Sequence, residues 1–319
     1  MSVLTADFEK GTVGQPVLTT DAGSQTAWDA LSDANPVLSY SATAAHGSQG
    51  GAWTPSAGAG GAYAQWSTAL GTVSGAQYGR TYIYLPFVPG TNGLGLVSYL
   101  LTATQGAEIG FLNTSLHLFL RDSTGSGGTQ STGTVLATGQ WCRVEWQVTI
   151  SATVGVISAS IYNSADSITA DFTLTSSSLN TLATANTFRI GQIGSNPANG
   201  FDWFLDQIVT NAPAAVGPFP VNTTAPTISG SVPAGSVLTA GNGAWNVSGT
   251  FTYTYQWTRG GVNIGGATSS TYTTVSADVG HAIGCTVTAT GLQATNEVAA
   301  QASSNTITPT SAGGFLSFL

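Results

Sequence analysis

Charge is what this sequence has least of. Only 6% of its 319 residues are Asp, Glu, Lys or Arg, against roughly a quarter in an ordinary globular chain. The basic residues number 6, Lys10 and five scattered Arg, against 14 acidic ones, for a net charge of −8. No stripe of Lys or Arg exists to neutralise phosphates. That excludes a nucleic-acid-binding surface and argues against attraction to an anionic membrane. Cysteine is nearly absent: Cys142 and Cys285 each sit in an apolar alternating run. Two buried free thiols are expected, with a disulfide between the two halves of the chain as the alternative. No run approaches the roughly 18 apolar residues of a membrane span, so no membrane insertion is expected. The opening Met1-Ser-Val-Leu-Thr-Ala-Asp7 lacks the basic and apolar regions of a secretory signal. Synthesis in a cytoplasm is therefore expected, which leaves open where the protein works.

Helical periodicity is also missing. In its place are 41 Gly, abundant Ser, Thr and Ala, and 42% hydrophobic residues. That is enough apolar content to exclude disorder. Short alternating runs recur between Gly, Ser, Asn and Asp clusters and read as strands. They include Arg80-Thr-Tyr-Ile-Tyr-Leu-Pro-Phe87, Leu116-His-Leu-Phe-Leu-Arg121 and Val156-Ile-Ser-Ala-Ser-Ile-Tyr162. In the run from Trp141 to Ile150, alternation puts Cys142, Val144, Trp146, Val148 and Ile150 on a core face. Trp141, Arg143, Glu145 and Gln147 then share the opposite face, toward solvent or a cleft. The Gly-rich stretches 47–61 and 122–133 read as exposed loops. The length fits two domains. Prolines at 213, 218, 220 and 226 mark a spacer. The expected plan is an all-β chain: a jelly-roll sandwich over 1–212, a Pro-rich linker over 213–225, a smaller sandwich over 226–309, and a hinge with an apolar tip over 310–319.

Certain segments resemble known families. Asp7-Phe8-Glu9-x-Gly11-Thr-Val-Gly14, His46-Gly47-Ser48, Gly139-Gln-Trp141-x-Arg143-Val-Glu145 and Phe204-Leu-Asp206-x-Ile208 make the first domain similar to the concanavalin A-like (laminin G-like) jelly roll. Pro226-Thr-Ile-Ser-Gly230, Gly235-x-x-Leu238-Thr-Ala240, Tyr253 to Trp257, Tyr272-Thr and Ala277-Asp-Val-Gly280-His281 make the second resemble bacterial-type immunoglobulin-like domains. Trp257 and Cys285 occupy the positions of that fold's core Trp and second Cys, while Leu238 or its neighbour stands where the first Cys would be. The pairing resembles exposed virion proteins of tailed phages. It implies a non-enzymatic structural protein on the outer surface of a bacteriophage particle, a minor tail or tail-tip component with host-surface glycan adhesion as a further role. Capsid (head) decoration is the alternative placement. A carbohydrate-binding module and a glycoside hydrolase are the alternative functions. Other virion proteins, further copies of this chain and host cell-wall glycans are the partners implied.

The chemistry-bearing residues are few. None of Glu9, Glu108, Glu145 and Glu297 has Asp two residues on, as a Glu-x-Asp hydrolase strand would. Asp202 and Asp206 share a strand face, but about 13 Å apart at roughly 3.3 Å per residue, too far for either hydrolytic geometry. His46, His117 and His281 lie near no nucleophile motif. No catalytic residue, metal site or cofactor is therefore expected; a structural calcium held by Asp7, Asp171 or Asp206 is the exception weighed. For glycan stacking the candidates are Trp53, Tyr63 and Trp66, which flank a long Gly-rich segment; packing in the sandwich is the competing role. For partner docking they are Phe315, Leu316, Phe318 and Leu319, an apolar tip that either inserts into a partner or folds back on its own domain.

Overall fold

The computed structural model describes residues 4–9, 12–19, 26–31, 38–45, 49–53, 60–88, 94–112, 115–125, 128–165, 167–195, 203–218, 221–245, 251–291, 300–304 and 306–310. The apolar tip of Phe315, Leu316, Phe318 and Leu319 lies outside them, as do His46 and Asp202. The chain divides into two compact units, the first spanning Met1–Pro218 and the second running from Phe219. Among the described residues, one short 3-10 turn, Ser276–Asp278, is the sole helical element.

The alternating runs become strands. In the first unit these are β1 (Leu4–Ala6), β2 (Ala30–Leu31), β3 (Leu38–Ser41), β4 (Gly50–Trp53), β5 (Gly60–Trp66), β6 (Gly75–Tyr84), β7 (Leu94–Leu101), β8 (Thr104–Phe111), β9 (Leu118–Asp122), β10 (Gly128–Gln130), β11 (Trp141–Ile150), β12 (Gly155–Tyr162), β13 (Phe172–Leu179), β14 (Thr187–Ser195) and β15 (Trp203–Ala212). One sheet has 8 strands, in the order β13-β12-β11-β6-β15-β4-β3 with β1 beside β15; the other has 7, in the order β10-β9-β8-β7-β14-β5-β2. The strand pairs are antiparallel, and the two inner faces share one hydrophobic core. This is the concanavalin A-like jelly-roll sandwich expected from sequence. Strand β11 shows why register matters. It pairs with β6 from Trp141↔Tyr84 to Ile150↔Gly75, which keeps Cys142, Val144, Trp146, Val148 and Ile150 in the core. A slip of one residue would turn all five out to water.

Aromatic side chains fill much of that core, and two glycan candidates are among them. Trp66 is 0% exposed and stacks on Trp28 with ring centroids 4.0 Å apart. Its indole N–H donates to the Ala27 carbonyl at 3.0 Å. Trp53 is 0% exposed and packs 5.5 Å from Trp203 and 6.1 Å from Phe8. Neither offers a face to a sugar. Tyr63 lies three residues before Trp66 on β5, so it points to the opposite, outer side. There its ring carries the Arg189 guanidinium, 4.2 Å from the centroid. The expected trio is thus corrected: burial of both indoles won, and strand parity separates Tyr63 from Trp66.

The other arginines are similarly engaged. Arg80, Arg121 and Arg143 lie over Tyr82, Phe119 and Tyr162 at 5.3, 4.1 and 3.8 Å. Both cysteines are buried free thiols. Burial pushes the Cys142 thiol up to about 11, against the pull of the Ala137 carbonyl and Gln140.

Strand β15 carries two irregularities, with non-glycine residues in the left-handed region at Gln207 (φ 47°) and Asn211 (φ 59°). Its register against β6 shifts between Asp206 and Val209 and again between Val209 and Ala212. Bulges of this kind re-aim side chains. Thr210 meets the core Tyr99 hydroxyl at 2.7 Å, while Val209 and Ala212 pack outside it with Val216 and Tyr78. The spacer expected over 213–225 is therefore docked where it begins: Val216 is 4% exposed and the Gly217 carbonyl accepts from Arg80 Nη1 at 2.7 Å.

The second unit holds β16 (Asn222–Thr224), β17 (Ile228–Gly230), β18 (Val237–Ala240), β19 (Ala244–Trp245), β20 (Phe251–Arg259), β21 (Val262–Asn263), β22 (Thr271–Thr273), β23 (Ile283–Gly291) and β24 (Ala300–Ser303). A 3-stranded sheet β17-β18-β22 and a 4-stranded sheet β21-β20-β23-β24 enclose its core, with β16 paired to β19. Trp257 and Leu238 are fully buried among Ile228, Ile283, Cys285 and Val287. Trp257 stands directly across from Cys285, and its indole N–H donates to the Ser269 carbonyl at 2.8 Å. Asp278 is buried and accepts from Arg259 Nε at 2.6 Å, the Tyr272 hydroxyl at 2.8 Å and the Val275 amide at 2.7 Å.

Candidate functional site

The outward face of the larger sheet of the first unit concentrates the unit's polar and aromatic groups. Alternation sends Tyr78, Arg80, Tyr82 and Tyr84 of β6 to this side, with Trp141, Arg143, Glu145 and Gln147 of β11. The antiparallel register then aligns them in rows across the sheet.

The first row is Trp141, Tyr84 and Phe204, from three adjacent strands. All three are half-exposed. The Tyr84 ring centroid lies 5.7 Å from that of Trp141 and 5.8 Å from that of Phe204. In the second row Arg143, Tyr82 and Asp206 are fully buried. Arg143 donates from Nε to Glu145 Oε1 at 2.7 Å, from Nη1 to the Ala165 carbonyl, and from Nη2 to the Ser167 carbonyl at 2.5 Å. Asp206 accepts from the Ala45 amide at 2.9 Å and its neighbour Gln207 at 2.8 Å. This row ties the segments around 45 and 165 onto the sheet. Burial raises the Tyr162 phenol, and the Glu145 charge adds to that against the Arg143 guanidinium. Tyr162 therefore stays protonated at neutral pH.

Beyond these rows the face opens into a recess of about 140 Å³. Its lining includes Tyr78, Glu145, Gln147, Ser158, Ser160 and Val216. Gly79 forms part of its floor, where a Cβ would collide with the Trp146 indole. The two serines are each joined to the next strand, Ser158 to Thr175 and Ser160 to Thr173, at 2.8 Å in both pairs.

The sequence-expected residues divide clearly. Trp141, Arg143, Glu145 and Gln147 do share this face, as alternation required, although Arg143 is covered. Asp206 is committed to backbone amides. Asp7 accepts from the Glu9 amide at 3.3 Å and Asp171 from the Asn163 amide at 2.7 Å. Among the described residues no group of three or more His, Cys, Asp and Glu is placed to hold a metal ion. His117 is half-buried and His281 exposed. Tyr84, Phe204, Tyr78, Ser158 and Ser160 escaped the sequence reading. The signal lay in applying to the runs at 80 and 156 the alternation already applied at 141.

No protein-family model matches the chain, and no curated protein matches it. Solved structures do. An alginate lyase, vAL-1 from Chlorella virus, is 10% identical over 60% of this chain and 95% of its own, with a TM-score of 0.42. The cellulose induced protein Cip1 is 18% identical over 67% of this chain and 99% of its own, with a TM-score of 0.43. Peanut lectin is 10% identical over 66% of this chain and 97% of its own, with a TM-score of 0.35. Sugar-binding and sugar-cleaving proteins both stand among these neighbours. That corrects the expectation that the chain is not an enzyme: alginate lyases and a glycoside hydrolase stand among the proteins similar to it.

Proposed function

We propose that the first unit is a carbohydrate-binding module that holds a saccharide chain on the outward face of its larger sheet. The observation that carries this reading is the in-register row Trp141–Tyr84–Phe204. Sugar rings present flat C–H faces that stack on aromatic rings, and a half-exposed row of rings gives them a platform. Farther along the same face the hydroxyls of Ser158, Ser160, Thr173 and Thr175 add donors and acceptors. Trp141→Ala is expected to weaken binding by about 2 kcal/mol, the usual cost of truncating an interface aromatic anchor, or about thirtyfold. Because Trp141 points outward, the melting temperature should move by a few degrees at most. Affinity electrophoresis through a panel of bacterial and plant polysaccharides reads this; equal retardation of wild type and variant refutes the platform.

A second reading is cleavage of the bound chain. It draws on Glu145, held 2.7 Å from Arg143, beside the Tyr162 phenol on the same face. New reducing ends released from the retained polysaccharide, and lost with Glu145→Gln, would establish it; their absence in wild type removes it.

The setting we assign is the outer surface of a bacteriophage particle, with the second unit as an immunoglobulin-like spacer between the module and other virion proteins. The sequence resemblance of the domain pair supports this. Antibody against the second unit should decorate purified particles under the electron microscope; bare particles would refute it.

A further inference from the structure

The recess farther along this face has features the aromatic row does not explain. It is dead-ended. A strap formed by Ala212–Gly217 lies across the sheet, held by Arg80 on the Gly217 carbonyl and by Val216 seated against Tyr78, Val209 and Ala212. Ala215 and Val216 form the closing wall. A chain lying over the Ser–Thr pairs of β12 and β13 would reach Tyr78 and stop. The recess also has hydrogen-bonding capacity to spare. Neither the Gln147 amide nor the Tyr78 hydroxyl has a hydrogen-bond partner among the described residues, and each serine hydroxyl keeps capacity beyond its threonine. At about 140 Å³ it has room for about ten water-sized groups, the scale of one sugar residue. Its charge is balanced: the lining holds the Glu145 carboxylate, paired 2.7 Å from the Arg143 guanidinium, and no Lys or Arg of its own.

From these observations we infer that the recess is a subsite for a single neutral sugar residue at the end of a chain. Tyr78 and Val216 offer the apolar wall. Gln147, Ser158 and Ser160 take the hydroxyls. Glu145, its charge already paired with Arg143, accepts from a hydroxyl, and the lining offers no free cation to hold a uronate carboxylate. The strap admits a chain end and excludes a chain interior. The inference rests on the reading of this face as a saccharide surface.

The test uses the full chain and free monosaccharides, read by saturation-transfer NMR: neutral hexoses and N-acetylhexosamines on one side, hexuronates on the other. Neutral sugars should show transfer and hexuronates none. Ser158→Phe, which fills the recess from an outward-facing position, should cut the signal at least tenfold, and Gln147→Ala should reduce it in the same direction. Both variants should keep the wild-type melting profile. Absence of transfer from every neutral sugar, transfer that survives Ser158→Phe, or a preference for hexuronates would each overturn the subsite. The two readings fail separately. Polysaccharide retention lost in Trp141→Ala with no monosaccharide transfer removes the recess alone. Monosaccharide transfer with retention unchanged in Trp141→Ala removes the platform alone.

Discussion

Trp257→Ala should abolish folding of the second unit and leave the first intact. Replacing a fully buried Trp by Ala costs about 3–5 kcal/mol in lost burial and residual cavity. The stranded Ser269 carbonyl adds about 1–3 kcal/mol, and a small sandwich of this size has a total stability near the lower end of about 5–10 kcal/mol. Trp257 is central to its core: it faces Cys285 across the strands, packs 5.5 Å from the Tyr272 ring and satisfies the Ser269 carbonyl. Its loss leaves both a void and an unpaired acceptor. Differential scanning calorimetry of the wild type should show two transitions, and of the variant one. Two transitions within a few degrees of the wild type would show that the core does not depend on Trp257. Trp257→Phe, which keeps much of the volume, should lower the second unit's transition without abolishing it.

The second large effect is expected at Arg143. Its guanidinium serves three acceptors and lies over the Tyr162 ring at 3.8 Å, while almost no part of it reaches solvent. Arg143→Met leaves the Glu145 carboxylate and the carbonyls of Ala165 and Ser167 without their donor. Removing one partner of a buried pair costs about 3–5 kcal/mol; Glu145 is 13% exposed, which places the loss near the lower figure. Arg143→Lys should recover little, because a point-like ammonium cannot span acceptors laid out for a planar fork. Hydrogen exchange of backbone amides around 163–167 should accelerate with the loss, since Arg143 fastens that segment to the sheet. Arg143→Met combined with Glu145→Gln should be less damaging than the sum of the two, because the neutral amide no longer strands a charge. Strict additivity would show that the pair is not coupled.

Much of the architecture was legible because burial writes itself into strands with a period of two. The run 141–150 announced both faces, and Tyr253-x-Tyr255-x-Trp257 with Cys285 announced the core of the second unit. The glycan candidates were misgrouped for a reason of the same kind. Trp53, Tyr63 and Trp66 were grouped by their nearness to a glycine-rich stretch. Residues 63 and 66 differ by an odd number, however, so one strand cannot present both on one face. The strap was harder to see. Its course depends on the shifts at Gln207 and Asn211, left-handed positions filled by residues other than glycine, and no local pattern marks them. The recess follows from the strap and was equally hidden.

The arginines have a further consequence. Four of them rest on aromatic rings, and the fifth, Arg259, is held by Asp278. Among the described residues, then, every guanidinium is already engaged by a neighbour. Dissolved electrolyte acts mainly on loosely held surface charges, and the described guanidiniums are not of that kind. Hydroxyls and amides, which carry no net charge, do most of the hydrating. The anchoring that these guanidiniums give the fold should therefore change little between dilute buffer and brine, because each is held by a neighbour at short range.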